Sequence, residues 1–229
     1  MNSLSDIIGG TLNGIQLYIN TLNEKLTHKI SKDVAVDLGL SVKWSHCNIG
    51  AQSPEQCGNF YAWGEISLKS GYFLNNYFSG FKDSNFVGTE KDPLRAFVYP
   101  NNKSIGGTQY DAATAELGLS WRMPTSEECQ ELIDKCVWST IQYQNKIGMR
   151  VVGPNSKAIF IPCTGVYTEA GYNAPESGHY WSASPTDNED KKKYAQYLLF
   201  SIGRSGVKEM KDDNRYEGRC IRPVTTMGF

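Results

Sequence analysis

The chain has 229 residues, 40% hydrophobic and 21% charged, with a formal net charge of -1. That balance marks a folded globular protein and excludes an intrinsically disordered one. The near-neutral charge gives no electrostatic drive toward nucleic acid or an anionic membrane, and no apolar run approaches the roughly 20 residues of a membrane span.

The first element lies within residues 4–30. Leu12, Ile15, Ile19, Leu22 and Leu26 are spaced three, four, three, four, the seam of a heptad pattern, and Ile8 extends it backward. Gly9, Gly10 and Gly14 weaken the first turns. The pattern predicts an amphipathic helix, either lying on its own domain or oligomerising the chain as a short coiled coil. The first basic residue is Lys25, and Asn13 and Gln16 interrupt the apolar positions, so the segment does not read as a secretory signal. Residues 1–33 therefore form an expected stem, and residues 34–229 the globular domain.

Within that domain, Val34 to Leu38 and Leu40 to Trp44 alternate like strands. Residues 65–108, rich in Gly, Asn, Ser and Lys, read as long loops. A short helix is expected from Asp111 to Leu117, closed by Gly118. A second should run from Ser126 to about Cys136, with Thr125 and Glu128 as its capping box and Cys129, Leu132, Ile133 and Cys136 on its buried face. Met149–Val152 and Ala158–Ile161 flank a Gly153-Pro154-Asn155-Ser156 turn, and Tyr194–Ile202 and Val207–Lys211 flank a second turn. Glu217 to Val224 reads as a closing strand. Two helices in a mostly antiparallel, loop-rich array give an α+β fold.

No residue pattern assembles a catalytic or metal site. Cys47, Cys57, Cys129, Cys136, Cys163 and Cys220 match no zinc spacing. Cys129 and Cys136 sit two helical turns apart, about 10.8 Å, too far for a disulfide. The cysteines read as small buried apolar residues. His28, His46 and His179 are dispersed, and adjacent His46 and Cys47 point to opposite faces of an extended segment. Asp187, Asn188, Glu189 and Asp190 could offer oxygen ligands, but Lys191, Lys192 and Lys193 follow them directly, and the stretch reads as a solvated loop. No cofactor is expected.

Six segments carry a family resemblance: Val36-Asp37-Leu38-Gly39-Leu40-Ser41-Val42-Lys43-Trp44, Cys47-Asn48-Ile49-Gly50-Ala51, Tyr61-Ala62-Trp63-Gly64-Glu65, Trp121-Arg122-Met123-Pro124-Thr125, Tyr180-Trp181-Ser182-Ala183-Ser184 and Arg222-Pro223-Val224. Together they make residues 34–224 resemble the Fibrobacter succinogenes major paralogous domain, a C-type-lectin-like module abundant in Bacteroidetes proteins. The resemblance implies a C-type-lectin-like fold and a role in recognition or adhesion without catalysis. It places Trp44, Trp63, Trp121 and Trp181 in the core and gives Arg122 and Arg222 structural roles.

Similar C-terminal regions occur in receptor-binding proteins diversified by retroelements, phage adhesins among them, whose last strands and loops form the binding face. Carried over, the ligand-binding residues are Asp187, Asn188, Tyr194, Gln196, Tyr197, Arg204, Lys208, Asp212, Asn214 and Tyr216, with Tyr194, Tyr197 and Tyr216 as exposed anchors. Leu198, Phe200 and Ile202 share one strand face and are expected to point inward; Tyr197, Leu199 and Ser201 take the other. The expected protein is an oligomeric, trimeric virion component of a phage, a fibre or spike. Its partners would be a host cell-surface glycan or protein and other virion proteins. A bacterial surface adhesin and a purely structural virion decoration protein are the alternatives.

Overall fold

The computed structural model describes residues 34–77, 104–186, 194–202 and 206–227. The expected N-terminal helix and its seam of Leu12, Ile15, Ile19, Leu22 and Leu26 lie outside the described residues. The rest is α+β. In chain order the elements are β1 (Ala35–Val36), β2 (Lys43–Ser45), α1 (Ala112–Leu117), α2 (Ser126–Lys135), β3 (Val137–Tyr143), β4 (Lys146–Val152), β5 (Ala158–Pro162), β6 (Val166–Thr168), β7 (Gly171–Asn173), β8 (Ser177–Pro185), β9 (Tyr194–Ser201), β10 (Lys208–Asn214) and β11 (Val224–Thr225). They form small antiparallel sheets ordered β1-β2-β11, β3-β4-β5 and β10-β9-β8, with β6-β7 as a separate hairpin.

The helices start where their caps require. Thr125 accepts from the Glu128 amide, and the Glu128 carboxylate accepts from the Thr125 amide at 2.9 Å, closing the capping box of α2. The same carboxylate takes both Nη atoms of Arg122, at 2.5 and 2.8 Å. Helix α2 buries Cys129 and Leu132 against a core that includes Val36, Trp44, Met149, Val151, Leu198 and Phe200. Helix α1 ends at Gly118, whose φ of 87° only glycine adopts readily.

Asp111 does more than cap α1. Its buried carboxylate accepts from the amides of Ala113 (2.8 Å), Thr114 (3.2 Å), Gly107 (2.8 Å) and Met123 (2.9 Å). One side chain thus ties the loop before the helix, the helix itself and the segment leading to α2.

One element was not expected and one expectation is corrected. Strand β3 extends a hairpin that the sequence shows only in part. Its two-residue turn holds Gln144 at φ 47° and Asn145 at φ 66°, both left-handed and neither glycine, so the usual turn signal is missing. Glu217 to Val224 does not form a continuous strand. It runs through the core as an irregular segment, exchanging main-chain hydrogen bonds with Tyr167, Tyr61, Trp181, Ile49, Ser45 and Arg122 in succession. Arg219 and Arg222 along this stretch, and Arg215 just before it, are almost wholly buried.

Because Asp111 serves four main-chain donors, Asp111→Ala should cost about 3 kcal/mol or more of unfolding free energy, measured by urea denaturation. A loss comparable to a simple cap deletion, about 1 kcal/mol, would reduce Asp111 to a helix cap.

Candidate functional site

The sheet β8–β9–β10 positions most of the expected ligand-binding residues that can be described. Cross-strand register pairs Tyr194 with Asn214, Gln196 with Asp212, Leu198 with Met210 and Phe200 with Lys208. Paired residues share a face, so these side chains line one side of the sheet. Leu198 and Phe200 are buried there in the main core, as expected, while Asp212 is exposed and Tyr194, Gln196, Lys208 and Asn214 are half-buried. Gln196, Asp212, Tyr194 and Asn214 make one contiguous polar patch at the outer end of the two strands. Lys208 stands apart, beyond the apolar pair Leu198–Met210. Asp187, Asn188 and Arg204 lie outside the described residues.

Tyr197 is corrected from exposed anchor to core residue. It is only 7% exposed, because the other face of the sheet is covered too. Its ring stacks on His179 at 5.6 Å and meets Trp181 edge-on at 6.0 Å. The Arg219 guanidinium lies over both the Tyr197 ring, at 4.1 Å, and the Trp181 ring, at 4.4 Å. Leu199, on the same face, packs partly against this second core. Tyr216 is half-buried rather than a free anchor and packs toward Ala62, Tyr72 and Tyr77.

Arg219 is held in place by carboxylates, at 2.6 Å from Asp213 and 2.8 Å from Glu217. Two acids converge on one buried cation, and sequence reasoning missed this cluster. Burial pushes the Glu217 carboxyl up to about 7; Arg219 opposes the rise and Asp213 adds to it. His179 moves the other way, down to about 4, through burial and the nearby Arg219, partly offset by Asp213. Its Nε2 sits 2.8 Å from Ser177 Oγ, but its Nδ1 has no hydrogen-bond partner. A nucleophile–base pair needs a third group orienting the base, and none stands behind this imidazole among the described residues.

Five of the six thiols are held away from the thiolate form that nucleophilic work needs. Burial pushes Cys136 and Cys163 up to about 11, and raises Cys47, Cys129 and Cys220 as well. All six cysteines are free. No group of three or more His, Cys, Asp or Glu suited to a metal ion occurs among the described residues.

Trp44, Trp63, Trp121 and Trp181 are buried, as expected. Arg222 donates to the main-chain oxygens of Ser45 (3.2 Å) and Phe160 (2.9 Å), a structural role like that of Arg122. Trp138 packs against the main core and donates to the Leu132 oxygen at 3.1 Å. Ala174-Pro175-Glu176 is a turn, closed by the Ser177 amide on the Ala174 oxygen at 3.1 Å. Comparison with protein-family models, curated proteins and solved structures yields no significant match for the chain.

The depressed pKa of His179 carries a pH signature. Its folded value lies below its unfolded value, so its contribution to stability is complete above about pH 6.5 and falls away as pH drops toward 4. Glu217 opposes this, since its raised folded pKa favours the folded state as pH falls from about 7 to 4.5. His179→Phe retains a stacking ring but removes the titration. Melting curves at neutral pH and near pH 4.5 should show the variant losing less stability on acidification than the wild type. Equal losses would mean that His179 is not held neutral.

Proposed function

We propose that the protein is a non-enzymatic recognition or adhesion protein with a C-type-lectin-like fold. The specific reading is a trimeric phage virion component, a fibre or spike, that binds a glycan or protein on the host cell surface. One contrast carries the proposal. The six segments behind the family resemblance are consumed in holding the domain together, whereas the outer end of β9–β10 presents polar side chains, Gln196, Asp212, Tyr194 and Asn214, that are half-buried or exposed.

The first half of that contrast is direct. Ile49 donates to Ile221 (3.1 Å), Trp63 to Arg215 (2.8 Å), Ala183 to Pro124 (2.7 Å), and Arg122 and Val224 donate to each other (3.1 and 2.9 Å). Trp63 and Trp181 donate their indole N–H groups to the oxygens of Ser182 (2.8 Å) and Tyr61 (2.9 Å). Such residues build a scaffold, and function is then left to the strand ends and loops it displays.

Gln196→Ala combined with Asp212→Ala should abolish binding of the labelled full chain to host cells while lowering stability by no more than about 1 kcal/mol. Undiminished binding would remove β9–β10 from the recognition face. The stem is tested separately by sedimentation equilibrium of the full chain beside a version lacking residues 1–32. A trimer that falls to monomers on truncation supports multivalent display, since linked weak sites gain avidity. Monomers in both cases would sink the fibre reading.

A further inference from the structure

Arg150 differs from the other arginines the structure describes. Arg122 forks onto Glu128, Arg219 holds two carboxylates, Arg222 reaches two main-chain oxygens, and Arg215 donates to the Tyr194 oxygen while lying over Trp63. Arg150 sits in the middle of β4 and is only 9% exposed. Among the described residues, nothing accepts a hydrogen bond from its guanidinium or pairs with its charge, and its Nε is buried without a partner. Burial alone pulls its pKa down, with no acidic neighbour to oppose the shift. A buried N–H left in that condition is costly, and buried polar groups otherwise find partners in folded proteins.

The surroundings define a site. Register places Ser139 of β3 on one side of Arg150 and Phe160 of β5 on the other, all on one face of the sheet. Ile141, Ala158 and Phe160, with Tyr143 and Val152 packed beside them, form a small apolar cluster on that face. The Ser139 side chain is half-buried and makes no hydrogen bond among the described residues. Val137, next along the same face, is 70% exposed, so the site opens toward the start of β3. A guanidinium fork, a hydroxyl and an apolar wall are the parts of a receptor for a planar or tetrahedral oxyanion. The apolar wall strengthens the attraction by keeping water away.

We propose that Arg150 and Ser139 bind a carboxylate or sulfate group, with the guanidinium as the charged donor and the hydroxyl as a second point of contact. The site lies on a different sheet from the polar patch of β9–β10 and stands whether or not that patch recognises a cell surface.

The test is a two-dimensional ¹H–¹⁵N NMR titration of the full chain with sodium glucuronate and, separately, sodium sulfate. Sodium chloride at matched ionic strength is the reference, because screening alone moves exposed resonances. Saturable shifts of the Arg150 Nε–H and the Ser139 amide support the site. A response to glucuronate alone identifies a carboxylate receptor, to sulfate alone a sulfate receptor, and to both a general oxyanion receptor. Arg150→Lys, which loses the fork, should weaken binding by about tenfold or more, and Ser139→Ala should weaken it less. Arg150→Gln should eliminate the saturable Ser139 shift. No response beyond chloride, or an unchanged Ser139 response in Arg150→Gln, would overturn the proposal. If Arg150→Gln fails to fold, the wild-type titration decides alone.

Discussion

The domain depends on one constraint: the segment from Arg215 to Val224 must cross the interior, and its three arginines must cross with it. Burying a guanidinium is expensive unless its donors are met. Here part of each donor set is met: Arg215 and Arg222 reach main-chain oxygens from distant parts of the chain and so act as cross-links, and Arg219 is held by the neighbouring carboxylates of Asp213 and Glu217. Arg222 joins the β1–β2–β11 sheet, through Ser45, to β5, through Phe160. Arg215 joins the end of β10 to the start of β9 through the Tyr194 oxygen. Strands as short as β1, β2 and β11 do not hold by themselves. They hold here because the crossing segment supplies their neighbours.

What could be read in the sequence divides along the same line. Local signals were legible: the Thr125–Glu128 capping box, the Asp111 start and Gly118 stop of α1, and the turn of Gly153 to Ser156 each act within a few residues. The crossing segment was not legible as such. Its alternation of buried and polar residues imitates a strand, while its partners are scattered from Ser45 to Trp181. Strand β3 was hidden by a turn built from Gln144 and Asn145, since left-handed glutamine is not a sequence signal.

The candidate site shows a related failure of periodicity. Alternation correctly sent Leu198 and Phe200 inward, and left Tyr197 facing what looked like solvent. In fact β9 is the middle strand of its sheet and is covered on both faces. The clue was available in part: Tyr197-Leu198-Leu199-Phe200 is a continuous apolar run, the pattern of a strand buried twice over. The decisive partner was a cation, Arg219, which no hydrophobic pattern identifies as a cover for an aromatic ring.

Double coverage also limits how this sheet can meet another molecule. Neither broad face is free at its centre, so contact must use the outer ends of β9–β10 or β10 itself, the edge strand of this sheet among the described residues. That edge strand carries Lys208, Glu209, Lys211, Asp212 and Asp213. Charges placed along an edge discourage the main-chain pairing that an exposed strand otherwise invites. Recognition there would therefore pass through side chains rather than through strand addition, and substitutions could change specificity without disturbing the interior. The exception within reach of the core is Asp213, because Arg219 depends on it; a change there would disturb the cover over Tyr197 and Trp181. A recognition surface on this scaffold thus has a boundary, set by whether a side chain answers to the buried arginines beneath it.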